Sequence, residues 1–123
     1  MWVGASTVRY QAVFSLGPVA SVDQYGGDYV YYAQTKREIT LRSPIEWLHC
    51  ISKPMLVIEG EEGNWDGAVV QMKFANTNPD VKFFKVNGFG HFDVIAPVTE
   101  ELADRIMRGK LDGITQQTFD ELK

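Results

Sequence analysis

The chain has 123 residues, enough for one domain with a buried core and too few for two ordinary ones. Apolar residues make up 45% and charged residues 23%, which excludes the disordered and collagen-like classes. Twelve Lys and Arg against sixteen Asp and Glu leave a net charge of −4, the wrong sign for a basic face that binds nucleic acid.

The single cysteine, Cys50, excludes an internal disulfide and argues against a cysteine-based zinc site. It is expected to fill core space as a small apolar residue. No apolar stretch approaches the ~20 residues that span a bilayer; the longest strong run is Met55-Leu56-Val57-Ile58. The start, Met1-Trp2-Val3-Gly4, lacks a basic leader region. The expectation is a cytoplasmic protein with no cofactor, no metal, no membrane contact and no nucleic-acid partner.

Residues 9–16 read as a strand that Gly17-Pro18 stops. An insert over 18–42 follows, with four of the five tyrosines at Tyr25, Tyr29, Tyr31 and Tyr32. Ser43-Pro44-Ile45-Glu46 has the spacing of a capping box and predicts a helix over 44–50. Residues 54–59 form a continuous apolar run, suited to a strand covered on both faces. Ala68, Val69, Met72 and Ala75 recur at helical intervals within 67–77, and Asn78-Pro79-Asp80 ends the pattern.

Residues 81–86 make a third strand, whose Lys82 and Lys85 suit an edge. Pro97 opens a helix over 97–108 with Glu100 and Glu101 in its first turn, a stripe of Val98, Leu102 and Ile106, and Gly109 as C-cap. The tail, 110–123, carries a last short helix from Ile114. Strands alternating with helices imply parallel crossovers, hence an α/β three-layer unit on a short, three-stranded parallel sheet.

The segment from Ser43 to Glu61 (Ser-Pro-Ile-Glu-Trp-Leu-His-Cys-Ile-Ser-Lys-Pro-Met-Leu-Val-Ile-Glu-Gly-Glu), followed by Val86-Asn-Gly-Phe-Gly-His-Phe92, resembles the C-terminal part of an α/β-hydrolase. The closest flavour is the prolyl-oligopeptidase-like serine hydrolases. Val13 to Pro18 similarly resembles the sixth strand of that fold and its turn. The resemblance covers most of residues 9–108. It implies that the chain corresponds to the C-terminal half of the fold, without the first five strands.

The resemblance places His91 where the family has its general base, a role that imidazole chemistry suits near neutral pH. Gly88 and Gly90 are expected to allow the turn that presents the ring above the carboxyl ends of the strands. The acid is open. A glycine, Gly63, stands where the family's aspartate usually falls, and Asp66 and Glu62 are the candidates. Asp66 also reads as an N-cap for the helix over 67–77, and that reading is preferred. The serine motif Gly-x-Ser-x-Gly is absent, with Gly4-Ala5-Ser6 a faint echo.

Other residues take plain readings. His49 is an ordinary packed or surface histidine. Glu59, Glu61 and Glu62 read as a solvated strand end. The tyrosines suit subunit contacts slightly better than a ligand pocket.

Without its neighbour in the family's sheet, the strand over 9–16 is an apolar edge with no lysine at its centre. The expectation is a homodimer in which this strand pairs antiparallel with its copy and completes the sheet. The protein is then a structural or binding module, inactive as a hydrolase by itself. The alternatives are one half of a split serine hydrolase with His91 as base, and a dimer binding a small-molecule ligand through the tyrosine-rich insert.

Overall fold

The computed structural model describes residues 10–24 and 35–122. Three strands, β1 (Val13–Leu16), β2 (Met55–Gly60) and β3 (Val81–Val86), form one parallel sheet in the order β1-β2-β3. Val13 stands opposite Met55, and Met55 opposite Val81. All six residues of β2 are buried, as a central strand covered on both faces requires.

Alternation along β2 divides the core. Met55 and Val57 face one side, with Leu48, Ile51, Ala68, Val69 and Met72. Leu56 and Ile58 face the other, with Val94, Val98, Leu102, Ile114 and Phe119. Ala20, Leu48 and Ile51, between β1 and β2, and Ala68, Val69 and Met72, between β2 and β3, therefore pack on one face. The helices after β3 cover the opposite one. The molecule is α/β, with helices on both sides of a parallel sheet.

Four α-helices are described: α1 (Lys36–Arg42), α2 (Val70–Ala75), α3 (Ile95–Met107) and α4 (Gln116–Asp120). None is long and apolar enough to cross a membrane. Helix α1 lies inside the insert, where no element was expected. It starts at Thr35, whose hydroxyl accepts from the Glu38 N–H at 3.2 Å. The tyrosine cluster, Tyr25 to Tyr32, lies outside the described residues, as does Arg9 at the start of the first expected strand.

Pro44–Cys50 is a 3-10 helix, and Ser43 at its start makes no cap with its side chain. Ser43 also ends α1, and its buried hydroxyl is already committed. It donates to the Ile39 carbonyl at 2.6 Å, accepts from the Val22 N–H at 3.1 Å and meets the Ser21 hydroxyl at 2.9 Å. Cys50 is exposed, which corrects its expected place in the core. The 3-10 winding turns Leu48 inward, at 2% exposure, and leaves His49 and Cys50 outward.

Helix α2 is entered through a π-helical turn, Trp65–Val69, so the helical segment begins two residues before the expected start. Asp66 is therefore inside the first turn, and Asn64 occupies the N-cap position without a side-chain bond. Helix α3 begins at Ile95, two residues ahead of Pro97. Its first turn holds no acidic residue, and Glu101 instead pairs with Arg105 at 2.6 Å. Val98 and Leu102 are buried, but Ile106 is 50% exposed and falls off the stripe. Gly109 follows the C-cap with φ +65, a left-handed conformation that glycine adopts without steric cost.

The two sheet edges differ. On β3, the side-chain amide of Gln116 accepts from the Lys85 N–H at 3.2 Å and donates to the Lys85 carbonyl at 2.6 Å. It thus occupies the outward backbone groups of Lys85, two of those that another strand would use. On β1, the N–H groups of Val13 and Gly17 turn inward to the Pro54 and Ile58 carbonyls. Alternation then points the N–H and C=O of Phe14 and Leu16 outward, where no described residue bonds them. Beside that edge, Ala12, Phe14, Leu56, Ile106, Leu111 and Ile114 line a shallow cavity of about 220 Å³.

A histidine and a buried glutamate as candidate active site

The carboxyl ends of three parallel strands meet at one place, and each delivers a component there. Gly17 follows β1, Glu59 and Gly60 end β2, and His91 lies in the turn between β3 and α3. His91 Nδ1 stands 2.9 Å from Glu59 Oε2. The Glu59 side chain is fully buried, while that of His91 is 39% exposed. The second oxygen, Oε1, accepts from the Gly60 N–H at 2.8 Å, so both carboxylate oxygens have a donor. This corrects the reading of Glu59 as part of a solvated strand end.

The turn that carries His91 is fastened to the end of β2. The Glu61 N–H donates to the Val86 carbonyl at 2.9 Å, and the Glu62 N–H to that of Phe89 at 3.0 Å. Glycine at position 60 permits this approach, because a Cβ there would overlap the Phe89 carbonyl oxygen. Within the turn Gly88 takes a left-handed conformation, φ +74, and Gly90 does not. The His91 ring is edge-on to Phe92, with 4.8 Å between ring centres, and Phe92 is 79% exposed.

Glu61 adds a second fastening. Its carboxylate accepts from Lys85 Nζ at 2.8 Å and from the Gly88 N–H at 3.3 Å. The bond from Lys85, then that from Gly88, then the lysine's charge hold its pKa below the ordinary glutamate value, against a smaller effect of desolvation.

A carboxylate facing Nδ1 favours the tautomer in which Nδ1–H donates to it, with the Nε2 lone pair outward. No described protein group bonds Nε2. A buried acid orienting an imidazole whose other nitrogen is open makes a general-base pair. Asp66 and Glu62, the acids considered from the sequence, are both exposed, and neither bonds His91 among the described residues. His49 is exposed on the 3-10 helix and stacks on Trp47, with ring centres 6.2 Å apart. Among the described residues no group of three His, Cys, Asp or Glu is placed to hold a metal ion.

Two outcomes follow from these contacts. In Glu59→Gln the Gly60 N–H claims the amide oxygen, so the amide NH2 faces Nδ1 and the ring proton moves to Nε2. Long-range 1H–15N spectra of His91 are expected to show Nδ1–H in the wild type and the reverse in the variant. Glu61, with its folded pKa lowered, contributes stability above its unfolded pKa, and this is lost as pH falls through the folded one. In Lys85→Met the Glu61 midpoint, read by carboxyl 13C NMR, is expected to rise. Urea titrations should show the Lys85→Met deficit at neutral pH and its disappearance in acid.

In comparisons of the chain with protein-family models, with curated proteins and with solved structures, none matches.

Proposed function

We propose that this protein supplies the histidine–carboxylate half of a serine hydrolase site, with His91 as general base and Glu59 as the acid that orients it. The observation that carries the reading is the 2.9 Å contact between Nδ1 and a fully buried carboxylate, at the carboxyl ends of parallel strands. The resemblance of residues 9–108 to the C-terminal part of an α/β-hydrolase supports the same assignment. The reaction is cleavage of an ester or peptide bond. His91 Nε2 takes the proton of an attacking serine and returns it to the leaving group.

The serine and its oxyanion donors come from outside the described residues, and the pair does not turn over substrate by itself. The resemblance puts that serine at the end of a further strand beside β1, whose outer edge carries unbonded backbone groups among the described residues. The test is capture of the tagged full chain from its own source, followed by treatment with a fluorophosphonate probe. Label on a serine of a co-purifying chain is expected, with p-nitrophenyl ester hydrolysis falling roughly 100-fold or more in His91→Ala. Absence of label, with equal rates in wild type and His91→Ala, overturns the reading.

The same open edge favours a second reading, a homodimer without hydrolase activity in which residues 9–16 of two copies pair antiparallel about a two-fold axis. The Ala12 N–H lies on the outward side of the β1 register, so Ala12→Pro removes a donor from that edge and none from the β1–β2 ladder. Sedimentation equilibrium at micromolar concentration is expected to give a dimer for the wild type and a monomer for Ala12→Pro. A folded wild-type monomer overturns it.

A further inference from the structure

Two glycines from different turns crowd the histidine–glutamate pair. At Gly17, the residue after β1, φ is +57. A Cβ built there would overlap Cε1 of His91, stand 2.7 Å from its Nδ1 and reach within 3.1 Å of Glu59 Oε2. At Gly63, after β2, φ is not in the left-handed region. A Cβ there would stand 2.6 Å from Glu59 Oε1 and 3.0 Å from the Cα of His91. Real Cβ atoms essentially never come within 3.0 Å of another heavy atom, so a side chain at either turn requires the pair to shift.

We propose that Gly17 and Gly63 are positioning residues, a clamp of two side-chain-free turns that sets the His91–Glu59 contact and so decides which ring nitrogen faces outward. The assignment rests on reading the pair as a general base and its acid. The two glycines press on opposite members of the contact. Gly17 lies against the imidazole edge that carries Nδ1, and Gly63 against the carboxylate oxygen held by Gly60. Any side chain at the first displaces the ring, and any at the second displaces the acid. Because Gly17 directly follows the open-edged strand, the clamp joins the β1 turn directly to the base.

The chain supplies its own controls. Gly109 has φ +65 with nothing within 4 Å of a Cβ, so Gly109→Ala imposes backbone strain without a collision. Gly63→Ala imposes a collision without left-handed strain, and Gly17→Ala imposes both. Two readouts on the full chain follow the pair without any turnover. One is the 15N signature of the His91 ring. The other is the rate at which diethyl pyrocarbonate modifies His91 relative to the exposed His49.

Gly109→Ala is expected to lower Tm and leave both readouts at wild-type values. Gly63→Ala and Gly17→Ala are expected to lose the Nδ1–H signature and change the His91 to His49 ratio. Glu59→Asp, which draws the carboxylate back by one methylene, is expected to relieve the destabilisation of Gly63→Ala.

A folded Gly63→Ala with wild-type readouts overturns the clamp. So does a Gly109→Ala that disturbs His91 equally, or a Gly63→Ala that fails to fold and is not relieved by Glu59→Asp. If Gly17→Ala does not fold, Gly63→Ala decides alone. Failure of the clamp leaves the proposed hydrolase role to its own probe-labelling test, and failure of that test leaves the clamp to these spectra.

Discussion

A carboxylate taken wholly out of water must be met by donors, because an unpaired buried charge costs several kcal/mol even after relaxation (on the order of the values for broken buried pairs). Glu59 meets that requirement with two, the Gly60 N–H and the His91 ring. The first is local and automatic, since it comes from the next residue. The second reaches across 32 positions of sequence and fixes where the turn after β3 must lie. The glycine at position 60, the backbone bonds of Glu61 and Glu62, and the bare turns at 17 and 63 all serve the same packing problem. The site is less a group added to a fold than the way this fold seals the end of its central strand.

Part of this was legible in the residues. The apolar run before Gly60 marks a strand covered on both faces, and the lysines at 82 and 85 mark an edge. His91 stands out because two glycines, Gly88 and Gly90, stand just before it in its turn. Glu59 was misread because its neighbours, Glu61 and Glu62, are exposed, and a cluster of three acids resembles a wet surface. The signal was present: a glutamate that continues a doubly covered strand is buried by its register, and a buried glutamate needs a partner. Asp66 attracted notice through its place before a helical pattern, yet the π turn starts the helix earlier and leaves Asp66 facing solvent.

Other departures have similarly local causes. Thr35-Lys36-Arg37-Glu38 carries the capping-box spacing that opens α1, directly after a stretch whose tyrosines are its more conspicuous feature. Ser43-Pro44-Ile45-Glu46 carries the same spacing, and there the hydroxyl is taken by the helix that ends at the same residue. The first motif makes its N-cap bond and the second does not, and the difference lies in which backbone donors and acceptors are left over. Cys50 and Ile106 read as inward on composition and periodicity, whereas a 3-10 turn leaves Cys50 at the surface and Ile106, near the helix end, is half exposed.

The seal on β3 has a fragile side. At Lys85 it consists of one amide, that of Gln116, carried on a helix of five residues. A helix that short holds its shape through tertiary contact, here chiefly the seating of Phe119 against Phe84 with ring centres 4.9 Å apart. Fraying of that terminal turn would bare the backbone of β3 as well, and a sheet with both flanks uncovered is a template for fibrous stacking. The cover over Lys85 at this edge therefore depends on the seating of the terminal helix, whose Gln116 grips the same residue that holds Glu61 beside the His91 turn.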